Sequence, residues 1–405
     1  MTGMRSARFP GPFGLLLAAL LLSSCSTISS WWSDDERAES APVQPKHERI
    51  SAAAEPGGIE VLWQVDLDQR RPASPSGFSL PLAFGSGESL RIIAGAQDRR
   101  ARIYDATGHE IDRVALLEAS ESGAARLASG LVVLGDVGGH VYAIDPATAR
   151  IAWRLDLPSV LMSKPVPVAD GCIIQTADNR IYRLDGKGNK LWSYIGPAGG
   201  LSMRLSPSPL LVDGQLYAAF SNGDVVAINA ESGSLLWKRQ LILDNSAAVL
   251  SELRVPVATP VLIPASVSGR DEDVLVVPVF QGELVFLSRL DGSRLDSRRI
   301  SLKSSPWLEK DRLYVADAGG AVSALDASSG QTLWRQQIST GELTGPILAA
   351  GHLWVADSLG KVYRLDLDGR LLADVQLPGR IDRQPVASAA GILVRNSLGT
   401  LFLLQ

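Results

Sequence analysis

Short apolar runs of four to seven residues recur along this chain, and turn residues close each one. One unit parses completely. Pro209 to Val212 is closed by Asp213-Gly214, and Gln215 to Phe220 by Ser221-Asn222-Gly223. Asp224 to Asn229 is closed by Glu231-Ser232-Gly233, and Ser234 to Arg239 contains Trp237. Four short alternating runs separated by Gly with Asp or Asn predict a four-stranded antiparallel meander. The third-strand phrase, followed by turn residues and a late Trp, returns at Val141 to Trp153, Ile181 to Trp192 and Val322 to Trp334. Pro165, Pro209, Pro260, Pro306, Pro346 and Pro385 stand where first strands begin, a position where a missing N–H breaks no ladder bond.

Self-similarity of this kind marks a repeat architecture. The Trp slot falls at Trp63, Asp112, Trp153, Trp192, Trp237, Asp296, Trp334 and Ala373, at intervals of 49, 41, 39, 45, 59, 38 and 39 residues. The chain ends with three strands and no fourth (Pro385 to Leu404), while Val61 to Leu67 is a fourth strand with no other three. Joined, the two ends make one blade and leave no open edge. The expected fold is therefore all-β: an eight-bladed β-propeller of four-stranded antiparallel blades, closed by terminal strands that share one blade. Each Trp is expected to pack between neighbouring blades. The Asp112, Asp296 and Ala373 slots show no compensating signal, so those blades should be held less well.

The first residues lie outside this pattern. Arg5 and Arg8 precede an apolar run, Phe13 to Leu22, too short to span a bilayer. This is the pattern of a secretory signal, and Leu22-Ser23-Ser24-Cys25 resembles the lipobox of bacterial lipoproteins. The resemblance implies cleavage before Cys25 and lipidation of it; the alternative is an ordinary signal with an incidental Cys. Residues 1–24 are then the signal peptide, 25–57 a lipidated tether rich in Ser, Ala, Glu and Pro, and 58–405 the propeller. Residue 26 is Ser, which by resemblance to enterobacterial sorting signals points to the outer membrane, with the propeller in the periplasm of a Gram-negative cell. Trp31-Trp32 reads either as an aromatic pair at the lipid headgroups or as a chance pair in a linker.

Composition narrows the function. Formal net charge is −4, becoming about −6 without Arg5 and Arg8, and no basic stripe appears, which argues against nucleic acid. Cys172, in an apolar strand, reads as a buried structural thiol. No nucleophile elbow or phosphate loop occurs. His109, His140 and His352 follow turn glycines in different blades. Asp366-Leu367-Asp368-Gly369 looks faintly like a calcium loop but occupies an expected turn. Asp271-Glu272-Asp273 reads as a solvated acidic turn. No metal, cofactor or catalytic residue is assigned.

The repeat phrase resembles those of pyrroloquinoline-quinone enzyme propellers and lacks the Gly-His and Trp-Asp pairs of the WD40 type. Combined with the lipobox, length and blade count, the chain resembles the BamB family, the propeller lipoproteins of the machine that inserts β-barrel proteins into the outer membrane. Leu201-Ser202-Met203-Arg204 resembles the loop by which that family engages BamA, the barrel-forming subunit. The family's acidic pair before a Thr-Pro is replaced here by Val255 and Val257. The resemblance implies a non-enzymatic subunit that binds BamA and other subunits of the complex; whether it also presents unfolded barrel substrates, by pairing at exposed strand edges, stays open at this point.

The residues alone are compatible with this. The two longest successive inter-blade connections, Ser193 to Ser208 and Gln240 to Thr259, flank one blade on one face. They carry Leu201, Met203, Leu250, Leu253, Val255 and Val257 beside Arg204 and Arg254. Such a set suits a protein-binding hot spot; the alternative is that these side chains fold back and fill the ring. Two other functions stay open: a lipid-anchored propeller for another protein or a glycan, and a quinone-dependent dehydrogenase. The latter family uses adjacent paired cysteines, and Cys172 has no neighbouring Cys.

Overall fold

The structure is a computed structural model describing residues 57–68, 79–197, 207–241 and 255–405. Eight separate antiparallel sheets follow one another along the chain. Blades 1 to 7 are sequential meanders, and blade 8 combines Val386–Ser388, Gly391–Arg395 and Thr400–Leu404 with Val61–Asp66 as its outer strand. Val65 lies opposite Leu401 and Asp66 opposite Thr400, so chain start and chain end share a ladder. Glu60 and Gln405 add reciprocal backbone hydrogen bonds of 2.9 Å.

Burial explains the sequence pattern. Second and third strands are covered on both faces and read as continuous apolar runs, such as Cys172-Ile173-Ile174 and Val225 to Ile228. Outer strands alternate: in Arg150–Asp156 only every second residue from Trp153 onward is partly covered. The core is a set of layers between neighbouring blades, of which Trp63, Val65, Leu67, Ile92, Tyr104 and Leu403 form one. Cys172 is fully buried, and burial pushes its thiol up to about 12.

Each of the five slot Trp residues donates its indole N–H to a carbonyl in the third-to-fourth-strand turn of the next blade. Trp63 bonds Ala106, Trp153 Gly186, Trp192 Ala230, Trp237 Arg289 and Trp334 Leu367, at 2.9–3.3 Å. The ring lies on a turn glycine. A Cβ built on Gly188 would stand 2.7 Å from Trp153, and that glycine's φ is +83°, so the site needs both the space and the conformational freedom of glycine. A β-bulge sits in the ladder at each of these slots, for example between Ala143 and Ile144 opposite Trp153.

The three slots without Trp are matched to their neighbours, contrary to the expectation of uncompensated weakness. Opposite Asp112 the turn carries Ala149 in place of Gly (φ 51°), its methyl packed against the core layer between blades 1 and 2. At Asp296 the guanidinium of Arg298 takes over. It donates to the carbonyls of Gly330 (2.9 Å) and Ser329 (2.7 Å) and to Asp296 Oδ1 (2.7 Å). Ala373 faces the junction where the chain ends meet, and packs on the layer containing Ile59. The prolines also divide. Five stand one residue before a first strand, whereas Pro346 lies inside Leu343–Ala349 at a bulge between Thr344 and Ile347, the other place a strand tolerates proline.

Candidate partner-binding face

Seven of the eight connections between blades begin in the same way. The residue after an outer strand donates its N–H to a carbonyl in the same blade's second-to-third-strand turn: Leu116 to Arg99, Leu157 to Gly139, Gly196 to Asn179, Leu241 to Gly223. At blade 5 the Gln281 N–H of the turn instead donates to Ser301 Oγ of the connection. The chain then turns inward toward the axis. Connections and these turns therefore share one face, as the sequence reading requires for its two long interruptions.

Those interruptions enclose blade 4, Leu210–Val212 to Leu235–Gln240. The first leaves blade 3 past Ile195, which is 66% exposed. Asn179 holds its base. The Asn179 amide donates to the Pro197 carbonyl (2.9 Å), and its Oδ1 accepts the Ser221 N–H and hydroxyl, both at 3.1 Å. Asn179 is 2% exposed with φ 61°, a conformation in which Asn is among the few favoured non-glycine residues. The connection re-enters at Pro207-Ser208. Ser208 Oγ accepts the Lys164 N–H at 3.0 Å, and the Ser208 N–H donates to Thr259 Oγ1 at 3.2 Å. Three successive connections are thus linked around the axis.

The second interruption leaves at Leu241 and returns at Val255-Pro256, which is a strand rather than loop. Val255 pairs with Phe280 and Pro256 with Val279, so the inner edge of blade 5 is built from two pieces. Val255 and Val257 are 4% and 3% exposed and pack with Phe280 and Ala318. Their side chains seat this connection, which joins blades 4 and 5, against blades 5 and 6. Leu201, Ser202, Met203, Arg204, Leu250, Leu253 and Arg254 lie outside the described residues, as do Cys25, the tether and Trp31-Trp32.

The remaining polar motifs are absorbed by turns. Asp366 Oδ1 accepts the N–H of Asp368 (3.0 Å) and Arg370 (2.8 Å), while Asp368 pairs with Arg312 at 2.9 Å. Asp273 is not a solvated acid. It accepts the Ala265 N–H (2.8 Å), capping a short helix, Ala265–Ser268, and pairs with Arg289 at 2.5 Å. Histidines 109, 140 and 352 stay in separate blades, and no group of three His, Cys, Asp or Glu suited to a metal occurs among the described residues.

Asn179 gives a direct test of this seat. Asn179→Ala strands the Ser221 donors and puts a methyl residue at positive φ. A loss of about 1–3 kcal/mol in denaturant unfolding is expected. A change below about 0.5 kcal/mol would show that blade 4 holds the connection without it.

The sequence comparisons with known proteins agree on one family. The family model described as outer membrane protein assembly factor BamB matches residues 46–321 and 289–401. The outer membrane protein assembly factor BamB of Bordetella pertussis is 26% identical over 96% of both chains. That of Escherichia coli is 26% identical over 69% of this chain and 71% of its own. Among solved structures, BamB from Moraxella catarrhalis superposes with a TM-score of 0.73 at 18% identity, covering 86% of this chain and 99% of that one. A quinohemoprotein alcohol dehydrogenase from Pseudomonas putida shares the propeller at a TM-score of 0.65 and 13% identity, a likeness of fold. On the match of its family model across most of its length, the chain belongs to the BamB family of outer membrane protein assembly factors.

Proposed function

We propose that this chain is a non-enzymatic lipoprotein subunit of the outer-membrane β-barrel assembly (BAM) complex, which binds a BamA-like barrel protein and aids the insertion of barrel substrates. The observation that carries the reading is full-length similarity to assembly factors, combined with a repeat whose long interruptions bracket a single blade. Lipidation at Cys25 anchors the chain to the outer membrane, with the propeller in the periplasm. Leu201, Ser202, Met203 and Arg204 carry the contact, extended by Leu253 and Arg254. Val255 and Val257 contribute as the buried seat of the second connection. An apolar pair with an Arg, in a long connection between blades, has the composition of an interface hot spot.

Affinity capture from detergent-solubilised membranes tests both levels. The unmutated chain is expected to retain a BamA-like protein, and the triple change of Leu201, Met203 and Arg204 to Ala to lower retention by at least about tenfold, since hot-spot truncations cost about 2 kcal/mol or more each. Failure of the unmutated chain to retain it sinks the function. Retention unaffected by the triple change sinks only the loop assignment.

A further inference from the structure

The connections converge on an axial well of about 70 Å³. That volume holds several waters, since one needs about 10–15 Å³ by the same measure. Its charged lining is Lys164, Lys303, Arg383 and Asp382, among hydroxyls that include Ser208, Thr259 and Ser304. The three cations differ in how they are balanced. Lys303 pairs with Glu342 at 2.6 Å and approaches Asp382 at 3.9 Å. Arg383 is pushed down to about 10 by burial, with Glu121 and Asp382 opposing that shift. Lys164 has no carboxylate partner among the described residues, and burial alone lowers its pKa. Lys164 is exposed to solvent as well as lining the well, so an ion entering from solution can reach it. A cation that lines a well without a carboxylate partner among the described residues, beside hydroxyl donors, attracts an anion of matching size.

We propose that the axial well binds a small free oxyanion, a carboxylate or phosphate compound, with Lys164 as its principal charge partner and the Ser208 and Thr259 hydroxyls completing the site. Because Ser208 also holds the Lys164 N–H, an occupant touches the residue at which the first long connection re-enters the fold.

Titration calorimetry at low ionic strength, with inorganic phosphate and with succinate as separate probes, tests this. The wild-type protein is expected to bind at least one probe with millimolar or tighter affinity. Lys164→Ala should weaken that binding about tenfold or more, and Lys164→Arg should return it to within about threefold. Preference for phosphate or succinate identifies the oxyanion. No binding of either probe by the wild-type protein, or equal binding by the folded Lys164→Ala variant, overturns the proposal. The Leu201, Met203 and Arg204 triple variant should bind the probes normally, which keeps this result separate from partner capture.

Discussion

Trp237→Ala is expected to lower the unfolding free energy by about 3–5 kcal/mol, the usual range for removing a buried Trp. Its indole is 8% exposed, packs in the layer between blades 4 and 5, and donates to the Arg289 carbonyl at 3.0 Å. The change leaves a cavity between blades and an unpaired carbonyl. Gly292→Ala should destabilise the wild-type protein as well, because its Cβ would lie 2.6 Å from the Trp237 ring. The two losses should not add. Once the indole is gone the methyl meets only the flexible Arg239 side chain, at 2.8 Å, and Ala149 opposite Asp112 shows that this turn accepts alanine when no Trp faces it. A double-mutant cycle in denaturant should therefore give a favourable coupling of about 1 kcal/mol or more. Simple additivity would mean that the strain of the turn, rather than contact with the ring, sets the cost.

The second large effect concerns the shared blade. A chain beginning at Ser79 lacks Val61–Asp66 and with it Trp63, Val65 and Leu67, which are 5%, 1% and 0% exposed. At about 1.5–3 kcal/mol per buried large side chain, the loss is on the order of 6 kcal/mol. That is comparable to the whole stability of an ordinary domain. It also bares the edge of Thr400–Leu404, whose apolar residues are then free to pair with another chain. Size-exclusion chromatography should find the shortened protein aggregated or unfolded. Recovery of a cooperative monomer with an unchanged melting temperature would show that seven blades and a fragment suffice.

Much of this architecture can be read along the chain because a propeller repeats one local problem eight times. The turn chemistry at Asp213-Gly214 and Asn222-Gly223 marks strand ends, and the Trp slots mark the outer strands. What escapes the sequence is what depends on contact across blades. Arg298 replaces a Trp from two residues further along its strand, so no position in the repeat announces it. Val255-Pro256 looks like loop because its partners, Val279 and Phe280, are more than twenty residues away. Asp273 looks solvated until Arg289 and the helix at Ala265 are set beside it. The axial well is hidden for the same reason, since each blade contributes only a residue or two, spaced by a whole repeat. The candidate loop at Leu201 is legible only through family resemblance and through the stretched interval before Trp237. Asn179, which pins the start of that connection, carries no mark beyond being one more turn Asn.

The shared blade also sets the order of folding. Thr400 Oγ1 donates to Asp66 Oδ1 across a separation of 334 residues, among the longest-range contacts in the molecule. During synthesis the strand at Val61 emerges before blades 1 to 7, and its partner at Thr400–Leu404 after them. Blades 1 to 7 can each form from contiguous sequence as they appear, while the outer strand of blade 8 waits unpaired. Closure then requires the two ends to meet after every other blade is in place, a step burdened by loop-closure entropy. The final clasp is therefore expected to be the slow event, and until it forms the nascent ring carries a bare apolar strand at each end. A chaperone that shields either strand would act on this one step and leave the formation of the separate blades unchanged.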